Sequence, residues 1–185
     1  MNCYKYMFKE LYDQTLFSRL YKYEKKMIKQ LPKMINNVQY PYKNEYNILK
    51  KINDPNIIKI NEVYEDTDYF YNVMDFYERG DLYFNINNRR LSIKDYKKLL
   101  KKIIEPIFIV HKLNIVHMDL KLENYVLDNN SNNFILIDFH LAQTHPYSYY
   151  KLEQISNIVG TKPFIAPEIY DGYYCKSSDM YSLGC

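Results

Sequence analysis

The sequence predicts an α+β chain with room for one domain or two small lobes: a β-rich part with one helix, then a mainly helical part. Three observations carry this. Tyr69–Met74 is aromatic and β-branched, as a strand requires. Residues 44–52 read as one short helix, because Tyr46, Leu49 and Ile52 recur on one face with charges between them. Downstream, Ile93 to about Leu113 reads as a long amphipathic helix with a buried stripe of Tyr96, Leu99, Leu100, Ile103, Ile107 and Val110. A coarse boundary falls near Phe76–Gly80, between residues 1–76 and 77–185.

The remaining elements follow from local chemistry. Residues 1–28 have room for two strands of a hairpin. Asp54-Pro55 ends the first helix. Ser92 is a suitable N-cap for the long helix, and Pro106 predicts a kink within it. Val126–Asp128 and Phe134–Ile137 predict a short hairpin around the polar turn Asp128–Asn133. Residues 139–165 carry little periodicity and predict a mobile loop.

Composition narrows the classes. The chain has 185 residues, 47% of them apolar, enough for a real core. A net charge of +3 gives no argument for nucleic acid. Lys94, Lys97, Lys98, Lys101 and Lys102 fall on the outer face of the long helix and read as a solvated surface. Cys3, Cys175 and Cys185 are far apart and odd in number, which suggests a reducing compartment and no disulfide framework. The first residues lack the apolar core of a signal peptide, and no apolar run is long enough to span a bilayer. A cytoplasmic protein without membrane or nucleic-acid partners is the expectation.

His117-Met-Asp119-Leu-Lys121-Leu-Glu-Asn124, with Asp138-Phe139 downstream, points to chemistry. It supplies a carboxylate to receive a hydroxyl proton, an ammonium to neutralise a moving phosphoryl group, and an amide and a second carboxylate as oxygen ligands for magnesium.

This pattern resembles the catalytic and magnesium loops of eukaryotic-type protein kinases, written HRDLKxxN and DFG. Ala166-Pro167-Glu168 matches the APE that closes the family's activation segment, and Asp179-Met-Tyr-Ser-Leu-Gly184-Cys resembles its central helix. Met27-Ile28-Lys29 looks like the end of VAIK, and the stretch from Glu45 to Lys59 is most similar to the calcium- and calmodulin-dependent kinase group. The resemblance implies a bilobal kinase fold, Mg-ATP as cofactor, and transfer to Ser/Thr hydroxyls of protein substrates. It implies Asp119 and Lys121 as catalytic residues and Asn124 and Asp138 as metal ligands. Lys29 and Glu45 would pair at the ATP site, with Met74, Asp75 and Tyr77 at the hinge. Thr161 and Glu168 would lie in the activation segment. His117 would be a packing residue rather than a base.

Four departures bear on that reading. No glycine precedes Gly80, so the GxGxxG flap has no counterpart. Met118 stands where the family has arginine, so control by an activation-loop phosphate should be weak or absent. His140 replaces the DFG glycine, so a left-handed backbone there would be strained. The chain stops at Cys185, inside the expected central helix, and is expected to be part of a longer kinase and marginally stable alone. A pseudokinase or interaction module is the alternative. A small-molecule kinase is disfavoured by the APE segment.

Overall fold

A computed structural model of the chain describes residues 10–15, 17–87, 93–147 and 151–185. The first lobe is a five-stranded antiparallel sheet in the order β1-β2-β3-β7-β6. Its strands are β1 (Glu10–Gln14), β2 (Arg19–Tyr23), β3 (Lys26–Pro32), β6 (Ile60–Glu65) and β7 (Tyr69–Asp75). The predicted hairpin is β1–β2, and the lysine-rich stretch becomes β3. Central β3 and β7 place Lys29 opposite Asn72 and Met27 opposite Met74. Between β3 and the first helix sits a small hairpin, β4 (Met34–Ile35) and β5 (Val38–Gln39). Its turn residues Asn36 and Asn37 have φ of 50° and 63°, a conformation asparagine tolerates better than most residues.

Helix α1 (Asn44–Leu49) stops before residue 52. The amides of Lys51 and Ile52 bond the carbonyls of Ile48 and Leu49, tightening the final turn ahead of Asp54-Pro55. Ile52 is still buried, as its place in the stripe predicted.

The second lobe begins with α2 (Leu82–Asn87) and α3 (Ile93–Lys112). Ser92 lies outside the described residues, as does the side chain of Lys94. α3 runs through Pro106 as one helix. Ile103, Ile107 and Val110 are buried as expected, but Tyr96 and Leu100 remain 46% and 47% exposed. The early turns of α3 instead turn Leu99 toward Leu82 and Ile86 of α2.

β8 (Ile115–Val116) leads into the catalytic-motif loop, followed by the hairpin β9 (Tyr125–Leu127) and β10 (Phe134–Leu136). Of residues 139–165, which the sequence predicts as a mobile loop, described residues form two short strands. β11 (Gln143–Thr144) pairs with β8, and β12 (Glu153–Gln154) pairs with β13 (Tyr173–Tyr174). Strands of two residues show no readable period, and their partners lie far away in sequence. α4 (Pro167–Tyr170) and α5 (Lys176–Gly184) complete the lobe.

One core joins the lobes. Ile48, Leu49, Ile58 and Met74 of the first pack with Val110, Leu120, Leu136 and Phe139 of the second. Among the described residues no helix is long and apolar enough to cross a membrane.

Candidate active site between the lobes

The lower wall of the cleft is the loop 117–124. It hangs from one buried carboxylate on α5. Asp179 Oδ2 accepts the His117 amide at 2.8 Å, and Oδ1 accepts the Met118 amide at 2.9 Å. His111 Nε2 lies 2.8 Å from Oδ2. These bonds hold Met118 at φ 71°, a left-handed conformation that costs a non-glycine residue roughly 1–2 kcal/mol and persists where surroundings over-determine it. His117 packs its ring edge-on against Phe139, centroids 4.7 Å apart, and Nε2 lies 3.0 Å from the Ile137 carbonyl. It is thus a packing and hydrogen-bonding residue, as expected.

Asp119 is nearly buried and densely contacted. The Thr161 hydroxyl donates to Oδ1 at 2.7 Å, and Lys121 Nζ is 2.8 Å from Oδ2 and donates to Thr161 Oγ1 at 2.7 Å. Gly160 allows this approach: at φ 106°, an added Cβ would sit 3.0 Å from the Met118 carbonyl oxygen. Asn124 Nδ2 donates to the Asp119 carbonyl at 2.7 Å and to its Oδ2 at 3.3 Å. The Asn124 carbonyl accepts the Ile137 amide at 2.9 Å, tying the loop to the strand end that carries Asp138.

The upper wall is a charged cluster. Lys29 Nζ lies 3.0 Å from Glu45 Oε2 and 2.6 Å from Asp138 Oδ1. Glu45 also accepts Asn72 Nδ2 at 3.3 Å and the Phe139 amide at 3.1 Å, so α1 is drawn against the second acid's loop. Asn44 reinforces this by donating to the carbonyls of His140 and Ala142. Burial opposes both charges, but each ion outweighs that cost for the other. Asp138 and Glu45 hold Lys29 above its ordinary value. Lys29 and His140 hold Asp138 well below the usual carboxylate range.

The strain expected at His140 falls elsewhere. Asp138 has φ 64°, whereas His140 is not among the residues with positive φ. Losing the glycine therefore carries no left-handed cost. His140 uses its side chain instead, with Nδ1 2.8 Å from Asp138 Oδ1.

At the hinge, Met74 is buried at the end of β7. The exposed Asp75 carboxylate pairs with Lys26 at 2.7 Å. Tyr77 is half-buried, and burial, then Asp75 and Asp128, pushes its phenol up to about 12. Glu168 on α4 accepts the Ser178 hydroxyl and lies 3.9 Å from Cys175 Sγ, linking α4 to α5. Met118 is buried with Ile165, Ala166, Ile169 and Tyr174, so an apolar contact occupies the arginine's place beneath that segment.

The structure thus brings Lys29, Glu45 and Asp138 together, and Asp119, Lys121, Asn124 and Thr161 together. Sequence reasoning assigned no role to Asp179, His111 or Asn72. Asp179 lies in the helix motif, but its partners His117, Met118 and His111 lie more than sixty residues away and cannot be read from it.

A small sheet with one inward-tied helix, set over a buried acid-bearing loop, defines the class as a protein kinase fold. The protein kinase domain model matches residues 18–185, and the chain belongs to that family. Calcium-dependent protein kinase 4 of Plasmodium falciparum is 35% identical over 144 residues, 76% of this chain and 26% of that relative. Calcium-dependent protein kinase 5 of Plasmodium berghei is 36% identical over 156 residues, 82% of this chain and 27% of that relative. Myosin light chain kinase A of Dictyostelium discoideum is 34% identical over 191 residues, 97% of this chain and 63% of that relative. The chain therefore spans about a quarter of the first two and under two thirds of the third. These matches agree with the expected similarity to the calcium- and calmodulin-dependent kinase group.

Proposed function

We propose that the chain transfers the γ-phosphoryl group of ATP to serine or threonine hydroxyls of protein substrates. The observation that carries this is the Lys29 bridge between Glu45 and Asp138, together with the Asp119–Thr161–Lys121 cluster, which the Asn124 carbonyl–Ile137 amide bond ties to the strand end before Asp138. The lobe boundary falls at Phe76–Tyr77. The main chain of Asp75 and Tyr77 takes the adenine, with Met74 behind it.

The donor set fits magnesium. Both ionic contacts of Asp138 fall on Oδ1, which leaves Oδ2 for a cation. The Asn124 amide nitrogen is tied to Asp119, which commits its oxygen to the other side. Such hard oxygen donors suit an ion that draws the rest of its shell from water and phosphates. When bound, the ion supplies neutralisation of phosphate charge.

The protein residues do the rest. Lys29, fixed by Glu45, holds the α- and β-phosphates. Asp119 receives the proton of the attacking hydroxyl as its oxygen bonds to phosphorus and the bond to the β,γ-bridging oxygen breaks. Thr161 holds Asp119 Oδ1 and so selects the carboxylate rotamer. Lys121 is placed to balance charge on the transferred group.

A second reading, a pseudokinase acting as a binding module, is favoured by the glycine-free β1–β2 turn. A thermal-shift titration separates the two. Stabilisation by ATP that requires magnesium and disappears in Asp138→Ala supports phosphotransfer, to be followed by phosphate incorporation into a serine/threonine peptide mixture. A wild-type chain unmoved by Mg-ATP overturns it in favour of the second reading.

A further inference from the structure

The described residues of the β1–β2 turn engage their backbone donors within the turn. The Gln14 amide donates to Asp13 Oδ1 at 2.7 Å, and the Thr15 amide to the Ser18 carbonyl at 2.8 Å. The Phe17 and Ser18 amides both donate to Thr15 Oγ1, at 3.2 and 3.1 Å. A phosphate held by the Lys29–Asp138 cluster finds none of these amides available, and no glycine allows the turn to rearrange cheaply.

What the turn offers instead is a ring. Phe17 stacks on Tyr40, centroids 5.7 Å apart and planes 5° from parallel, an offset arrangement aromatic pairs prefer. Tyr40 follows the β4–β5 hairpin, a connection held firmly on both sides. Its amide donates to the Lys33 carbonyl at 3.0 Å, and its carbonyl accepts the Tyr42 amide at 2.8 Å. Tyr40 is half-buried, and burial first, then the field of Lys29, Glu45 and Asp138, acts on its phenol. Just after Tyr40, Asn44 bonds the His140 and Ala142 carbonyls and Glu45 pairs with Lys29, so the Tyr40 segment borders the charged cluster, and β2 brings the Phe17 turn to the same region by pairing Leu20 with Lys29. Among the described residues no hydrogen bond engages the Tyr40 hydroxyl.

We propose that Tyr40, braced by Phe17, closes the phosphate end of the nucleotide cleft and donates its hydroxyl to a terminal phosphate oxygen. A side-chain donor would thereby replace the backbone donors of a glycine flap. This rests on the Mg-ATP reading and names the residues that complete that site. A neutral phenol donates to a phosphate without repelling Lys29, and the aromatic pair excludes water from the transferring group.

The test is calorimetric titration of the full chain with a non-hydrolysable ATP analogue plus magnesium, and separately with adenosine, which has no phosphates. Tyr40→Phe keeps the ring and removes only the donor, so its melting temperature should equal the wild type's. Its affinity for the ATP analogue should fall about tenfold, the scale of a hydrogen bond to a charged group, while adenosine binding stays unchanged. Phe17→Ala should weaken the analogue about fivefold, and Phe17→Tyr should restore it. Wild-type affinity for the analogue in Tyr40→Phe, or equal losses for analogue and adenosine, overturns the proposal while leaving the phosphotransfer reading intact. A wild-type chain that binds neither ligand removes both.

Discussion

The two walls of the cleft have departed from the family pattern in different ways. The lower wall keeps the motif's histidine, aspartate, lysine and asparagine but not its arginine, and Asp179 holds its backbone despite Met118. The upper wall keeps its ion cluster but has lost every glycine of the flap. The contrast shows that work done by side chains survives a changed neighbourhood, because charge and reach travel with the residue. Work done by bare backbone does not, because any Cβ alters both the conformations available and the distance of approach.

The largest expected effect lies on the lower wall. Asp119→Asn should lower phosphotransfer by about 10³-fold, within the range for a positioned acid–base group, with ATP affinity unchanged. Equal rates in radiolabelled transfer assays would place the proton acceptor elsewhere. Next is Met118→Arg, which restores the family residue. Because position 118 lies in an apolar cluster, an unpaired guanidinium there should cost about 3 kcal/mol in urea unfolding. A stable variant would mean that a partner for the charge exists nearby.

Glu45→Gln probes the upper wall. Loss of the buried charge beside Lys29 should weaken Mg-ATP binding by about 2 kcal/mol, with a smaller effect on adenosine. Comparable losses for both ligands would show that α1 had moved rather than a phosphate contact failed. The smallest effect is on acid stability. Asp138 is held below its ordinary value, so its contribution is complete above the unfolded carboxylate value of about 3.9. That contribution drains away as pH falls through the lower folded value. Asp138→Asn should remove this acid limb, and melting curves between neutral and strongly acidic pH would show it.

Much of this was legible in the chain. Lys29, Glu45, Asp119, Lys121, Asn124 and Asp138 could be singled out because they match protein-kinase motifs in order along the chain, and the structure groups them into two clusters. The long helix and the β9–β10 hairpin followed from period and turn residues. The positive φ considered at His140 occurs at Asp138, two residues earlier, since a motif letter does not say which residue takes it. The exposure of Tyr96 and Leu100 was misjudged too, since a helical stripe records which residues share a face and not how much of that face is covered.

The residue types alone determined the charge inventory of the cleft and the order of its parts along the chain. Only the tertiary structure decided that Asp179 suspends the loop 117–124, that Asn72 steadies Glu45, and that Phe17 meets Tyr40. Those pairings join segments far apart in sequence, and they arise only once the sheet, α1 and α5 have closed around one core.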